Sequence, residues 1–140
     1  LSSNRFSVFP PALYDIVTLE YLDLSMNQLY KLPAETGNLK NLKYLNLRHN
    51  QLRELPAGFE NLQNLDTLEI SHNNFTAIPD SVFRLTNLRI LKIEGNKITT
   101  IPDELGNLKH LKEIYAERCG WGTKETERVK SLLPSVTIKE

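Results

Sequence analysis

The apolar positions of this chain repeat in a fixed figure. From Leu42 they run Leu42, Leu45, Leu47, Leu52, Leu55, Phe59 and Leu62, with Asn50 and Pro56 at set places among them. Twenty-three residues earlier stand Leu19, Leu22, Leu24, Asn27, Leu29, Leu32, Pro33 and Leu39. Twenty-three later stand Leu65, Leu68, Ile70, Asn73, Phe75, Ile78, Pro79, Val82 and Leu85, and a third step gives Leu88, Leu91, Ile93, Asn96, Ile98, Ile101, Pro102, Leu105 and Leu108. Around each L-x-L the apolar and variable residues alternate, the period-two pattern of a strand with one buried face. After each asparagine come two apolar residues and a proline, which cannot donate to a ladder and suits an extended return segment. The stretch that follows, such as Asp103 to Leu108, has room for no more than a 3₁₀ or one-turn helix.

A period of this length describes a stack in which each coil buries its leucines against its neighbours and none folds alone. Parallel strands about 4.8 Å apart would bring equivalent positions into columns. One column is Asn4, Asn27, Asn50, Asn73 and Asn96, whose amides can satisfy backbone groups at the tight bend after the strand. Thr36 is the polar exception where other coils carry Leu13, Phe59, Val82 and Leu105, so a thinner core is expected there.

These residues fit the signature L-x-x-L-x-L-x-x-[NC]-x-L-x-x-L-P at Leu19 to Pro33, Leu42 to Pro56, Leu65 to Pro79 and Leu88 to Pro102, which resembles the leucine-rich repeat family. The resemblance implies an α/β solenoid, a right-handed horseshoe with a parallel sheet on the concave face and short turns or 3₁₀ segments on the convex side. It also implies binding of partners, usually proteins, through the inner strand face.

The expected division is a repeat stack over 1-118 and a C-terminal cap over 119-140. Residues 1-18 hold only the second part of a repeat, which suggests a fragment of a longer protein or an edge used for self-association. In the last repeat Ala116 and Cys119 take the places of a leucine and the asparagine. Thr123 is the expected N-cap of a helix reaching Leu133, with Val129, Leu132 and Leu133 on one face, followed by a strand at Val136 to Ile138. The run from Glu127 to Ile138 is similar to the tail of many bacterial leucine-rich repeat proteins.

Charge narrows the partners. Seventeen basic and seventeen acidic side chains cancel, which leaves no electrostatic footprint for nucleic acid or an anionic membrane. No apolar run approaches the roughly 18 residues that cross a bilayer. The single cysteine, Cys119, excludes an internal disulfide and fits a reducing compartment or a bacterial source.

Candidate chemistry lies in the variable columns beside the buried strand positions. They place Tyr21, Tyr44, Arg48, His49, Glu69, His72, Lys92, Glu94 and Tyr115 on the inner face as partner-binding residues, with Tyr21, Tyr44 and Met26 as an aromatic anchor. His49 and His72 should be lateral neighbours, and two close imidazoles raise the question of zinc. The bland reading is surface histidines, since no clear third ligand accompanies them and Arg48 opposes a cation. A nucleophilic Cys119 with His110 is weaker still, because that position takes Asn or Cys for packing. The expected function is non-catalytic protein binding, exported or surface-bound rather than cytoplasmic. The alternatives are the substrate-recognition arm of a larger enzyme or an intracellular scaffold.

Overall fold

The computed structural model describes residues 1–140. Six three-residue strands form one parallel sheet in sequence order: β1 (Tyr21–Asp23), β2 (Tyr44–Asn46), β3 (Thr67–Glu69), β4 (Ile90–Lys92), β5 (Glu113–Tyr115) and β6 (Thr137–Lys139). The strands are brief because the chain turns away as soon as two apolar side chains have been delivered inward. Tyr21 pairs with Tyr44, Tyr44 with Thr67, Thr67 with Ile90 and Ile90 with Glu113, so the step is constant across five strands. Between β5 and β6 it lengthens by one residue, with Glu113 opposite Thr137.

On the other side of each coil the proline delivers the chain into a 3₁₀ turn, at Pro11–Leu13, Ala34–Asn38, Phe59–Asn61, Asp80–Arg84 and Asp103–Asn107. The core between sheet and turns is one continuous cluster running from Phe9 to Val136, with Leu24, Leu47, Leu68, Leu91 and Ile114 among its least accessible members. It has no break at residue 118. The C-terminal helix α1 (Thr123–Leu132) packs on the last 3₁₀ turn with Val129 fully buried, and β6 joins the same sheet. At the first coil Phe9 is buried, while Leu1, Val8, Ile16 and Val17 are exposed.

Two local expectations change. Gly122, not Thr123, holds the position before α1, and its extended backbone offers no side-chain cap; Thr123 is already the first helical residue. At Thr36 the shortfall in volume is met by backbone. Thr36 is fully buried with its hydroxyl unpartnered, and beside it Gly37 lies so close to the Gly58 carbonyl that a Cβ would collide with it. Gly58 reaches that place with a φ of 84°, a left-handed conformation that costs a side-chain-bearing residue more than glycine.

The bend after each strand is held by side-chain amides. Asn73 donates from Nδ2 to the carbonyls of Leu47, Ile70 and Ser71, and its Oδ1 accepts from the Leu52 N–H. Asn27, Asn50 and Asn96 repeat the same set, so each ties its own bend to the coil before it. Cys119 closes the row: its thiol donates to the Ile93 carbonyl at 3.0 Å, the bond made by Asn Nδ2 in earlier coils. A second row, unremarked in the sequence, lies before the strands. Asn41, Asn64 and Asn87 donate to the carbonyls of Val17, Lys40 and Gln63, and His110 Nδ1 continues the row at 2.9 Å from the Thr86 carbonyl.

Candidate concave recognition face

The solvent-facing side of the sheet carries the variable columns, and the constant register decides what each side chain meets. Tyr21 and Tyr44 occupy paired positions on β1 and β2, and their rings stack with centroids 4.3 Å apart and planes 1° from parallel. Tyr21 is 59% exposed and Tyr44 half-buried beneath it. Burial first, then hydrogen bonding to Tyr21 and the negative field of Tyr21, Glu69 and Asp23, pushes the Tyr44 phenol up to about 12, so it remains a neutral donor at physiological pH.

The neighbouring column leaves the strands in a left-handed backbone. Ser3, Met26, His49, His72 and Arg118 all have φ between 53° and 57°, and Gly95 in the same column has 63°. A non-glycine residue there costs on the order of 1 kcal/mol. Five of these six positions carry a side chain despite that cost. Met26 is 57% exposed, and the rings of His49 and His72 stack 4.3 Å apart at 10°. Burial, then the repulsion of His72 and Arg48, holds the His49 imidazole below its ordinary value, with Glu69 opposing in part.

As stacked, the two rings are not arranged to share a zinc ion between His49 and His72. Imidazole lone pairs lie in the ring plane and zinc needs nitrogens at about 2.0–2.1 Å. Two nearly parallel planes held 4.3 Å apart leave no point in reach of both lone pairs. No three histidine, cysteine, aspartate or glutamate side chains gather as a ligand set.

The middle of the face also differs from expectation. Glu69 is buried, with Asn46, Thr67, Ser25 and Ser71, because short side chains at a spacing of about 4.8 Å are roofed by longer ones in the adjoining columns. Glu69 therefore does not stand out toward a partner. It lies between Arg48 at 3.8 Å and Lys92 at 3.4 Å, with Ser25, Met26, Asn46 and His49 completing an open hollow of about 410 Å³. Glu94 accepts from the Ser71 hydroxyl at 3.0 Å.

Beyond Lys92 the face becomes a closed charge network. The Tyr115 ring has Lys92 Nζ 5.1 Å and Lys139 Nζ 4.4 Å from its centroid, while the Tyr115 hydroxyl donates to Glu113 at 2.7 Å and Lys139 donates to Glu113 at 2.8 Å. The Lys139 ammonium and the Tyr115 hydroxyl hold the Glu113 carboxyl below its usual range, and the same contacts raise Lys139. Lys139 was missed in the sequence because the register into β6 lengthens by one residue.

Burial raises the Cys119 thiol, which makes it a poor nucleophile. Cys119 and His110 lie past opposite ends of β5, bonded to different carbonyls, and form no catalytic pair. Trp121 packs against the end of the core with its indole N–H unpartnered. No helix is long and apolar enough to cross a membrane.

Comparison with known proteins agrees with this geometry. A leucine-rich repeat protein of Leptospira interrogans is similar to this chain at 33% identity and a TM-score of 0.79, covering 98% of this chain and 41% of its own. An internalin of Listeria monocytogenes shares the fold at 17% identity and a TM-score of 0.80, covering 95% of this chain and 38% of its own. The chain thus spans about two fifths of the length of these two structures. No curated protein sequence matches. The leucine-rich repeat region matches residues 2–133, and the chain belongs to the leucine-rich repeat family.

Proposed function

We propose that this chain is a non-catalytic protein-binding module of an exported or surface-associated bacterial protein, and that it takes its partner on the concave face. The observation that carries the reading is the paired stacks: Tyr21 on Tyr44, and His49 on His72 beside exposed Met26. Large side chains kept in a left-handed column, where glycine would relieve the backbone, fit a surface retained for contact. Stacked on one another, these rings have little rotamer freedom left to lose on binding, and aromatic residues are enriched among interface hot spots. Arg48, Lys92, Glu94 and Tyr115 supply the polar border, and Glu69 positions Arg48 and Lys92 from below. The bacterial assignment draws on the Leptospira and Listeria structures.

The test is affinity capture with the immobilised chain from the organism's own extracts. Tyr21→Ala with Tyr44→Ala should abolish capture of a defined protein species while the melting transition stays cooperative. Arg53→Ala, an exposed change outside the concave columns, should capture normally. Equal capture by both variants would remove the concave face from consideration. Fractionation of cells producing the full-length protein tests the location, and recovery in the cytosol alone would refute it.

A further inference from the structure

A second surface, beside the loops that enter the strands, carries a different chemistry. The residue just before each strand alternates in sign over the first four coils, Glu20, Lys43, Asp66 and Arg89, and Lys112 then breaks the alternation as a second cation in succession. Each cation reaches back one coil to the acid before it, Lys43 to Glu20 at 2.9 Å and Arg89 to Asp66 at 3.2 Å. Lys112 is the odd member. The coil before it offers only Arg89, which is already paired with Asp66, and the coil after it has Val136 turned into the core and the hydroxyl of Ser135. Lys109, exposed nearby, makes no ion pair either. Around these two ammonium groups opens a cleft of about 600 Å³ that runs back to Asn64 and Asp66 and has a single hydrophobic lining residue, Leu111.

The rest of the lining is polar and includes several acceptors. Asn64 and Asn87, which line the cleft, each donate once from Nδ2 to the carbonyls of Lys40 and Gln63, and their Oδ1 atoms accept no protein hydrogen bond. His110 must carry its proton on Nδ1 to meet the Thr86 carbonyl, so the neutral ring keeps Nε2 as an acceptor. The one carboxylate, Asp66, is held by Arg89 and by the Thr67 hydroxyl. It lies two coils from Lys112, a separation of about 10 Å at the usual strand spacing.

We propose that this cleft binds a phosphorylated polyol or sugar, with the phosphate on Lys109 and Lys112 and the hydroxyls on Asn64, Asn87, His110 and Ser135. Two unmatched ammonium groups balance one phosphate dianion, and with Asp66 already paired to Arg89 they leave the cleft net positive, which concentrates an anion there. The remaining acceptors call for a ligand rich in hydroxyl donors, and the volume exceeds that of a bare ion.

The probe is glucose 6-phosphate, titrated calorimetrically into the chain at low salt, with inorganic phosphate and glucose as parallel arms. Glucose 6-phosphate should bind with a Kd near or below about 1 mM. Affinity should fall at least about tenfold in Lys112→Gln and in Ser135→Asp, whose carboxylate would pair with Lys112. Ser135→Asp leaves the core untouched, so an unchanged melting transition separates lost binding from lost folding. Tyr21→Ala with Tyr44→Ala should bind the probe normally, which keeps this site independent of the concave face. Inorganic phosphate binding as tightly as the sugar phosphate would overturn the proposal, as would absence of binding or full affinity in Ser135→Asp.

Discussion

The first two strands and the last two fill the same columns in opposite ways. On β1 and β2 the face is aromatic: Tyr21 on Tyr44, continued by Met26 and the His49–His72 stack, with no ion pair among them. On β5 and β6 it is ionic: Glu113, Tyr115 and Lys139 satisfy one another, and Lys92 connects them to Glu69. A partner approaching the aromatic end displaces water from rings already stacked. A partner approaching the ionic end must break charge-assisted hydrogen bonds that are already made. The difference teaches that exposure alone does not rank these columns, because prior satisfaction sets what a contact can gain.

If the two ends differ only on the surface, the core beneath them should respond alike. Leu45→Ala under the aromatic end and Ile114→Ala under the ionic end, both fully buried, should each lose about 3 kcal/mol in urea unfolding. A large inequality would mean that the halves unfold separately. Next in size is Glu69→Ala at the boundary, which leaves Arg48 and Lys92 without their shared carboxylate and should cost about 2 kcal/mol. Tyr44→Ala should cost about 1 kcal/mol of stacking while removing partner capture, and equal losses in stability and capture would undo the distinction.

A pH series sharpens the aromatic side. With the folded His49 value below the unfolded one, the unfolded chain binds the extra proton, so stability falls as pH drops through about 6.5 and levels off below the folded value. The melting temperature of His49→Gln should show less of that fall, and an identical profile would assign the proton elsewhere. The smallest effect is expected at Glu113→Gln, a change in the exposed ionic network that should lower the melting temperature slightly at low salt and not at all at high salt.

Periodicity made the fold legible because a constant step leaves one way to stack the leucines, and the columns containing Tyr21–Tyr44 and His49–His72 follow from the same arithmetic. What arithmetic does not carry is depth. Glu69 sits in a variable column yet is buried, since that depends on the reach of Arg48 and Lys92 beside it. Ring orientation at His49 and His72 is also beyond spacing, which places the two rings side by side without saying that they stack face to face. The second amide row, Asn41, Asn64 and Asn87, repeated in the sequence as plainly as the first. Its last member, His110, has a different side chain and is recognised only by its bond to the Thr86 carbonyl.

Gly95 shares its column with the histidines but has no side chain, and a Cβ there would run into the His72 ring. The pile of rings therefore rests on bare peptide. Gly95→Ala would tilt His72 off its seat and, through it, move His49 one coil further away. A single methyl group on one side of the face would thus alter the shape offered to a partner on the other, and selection could retune recognition from a position that touches nothing bound.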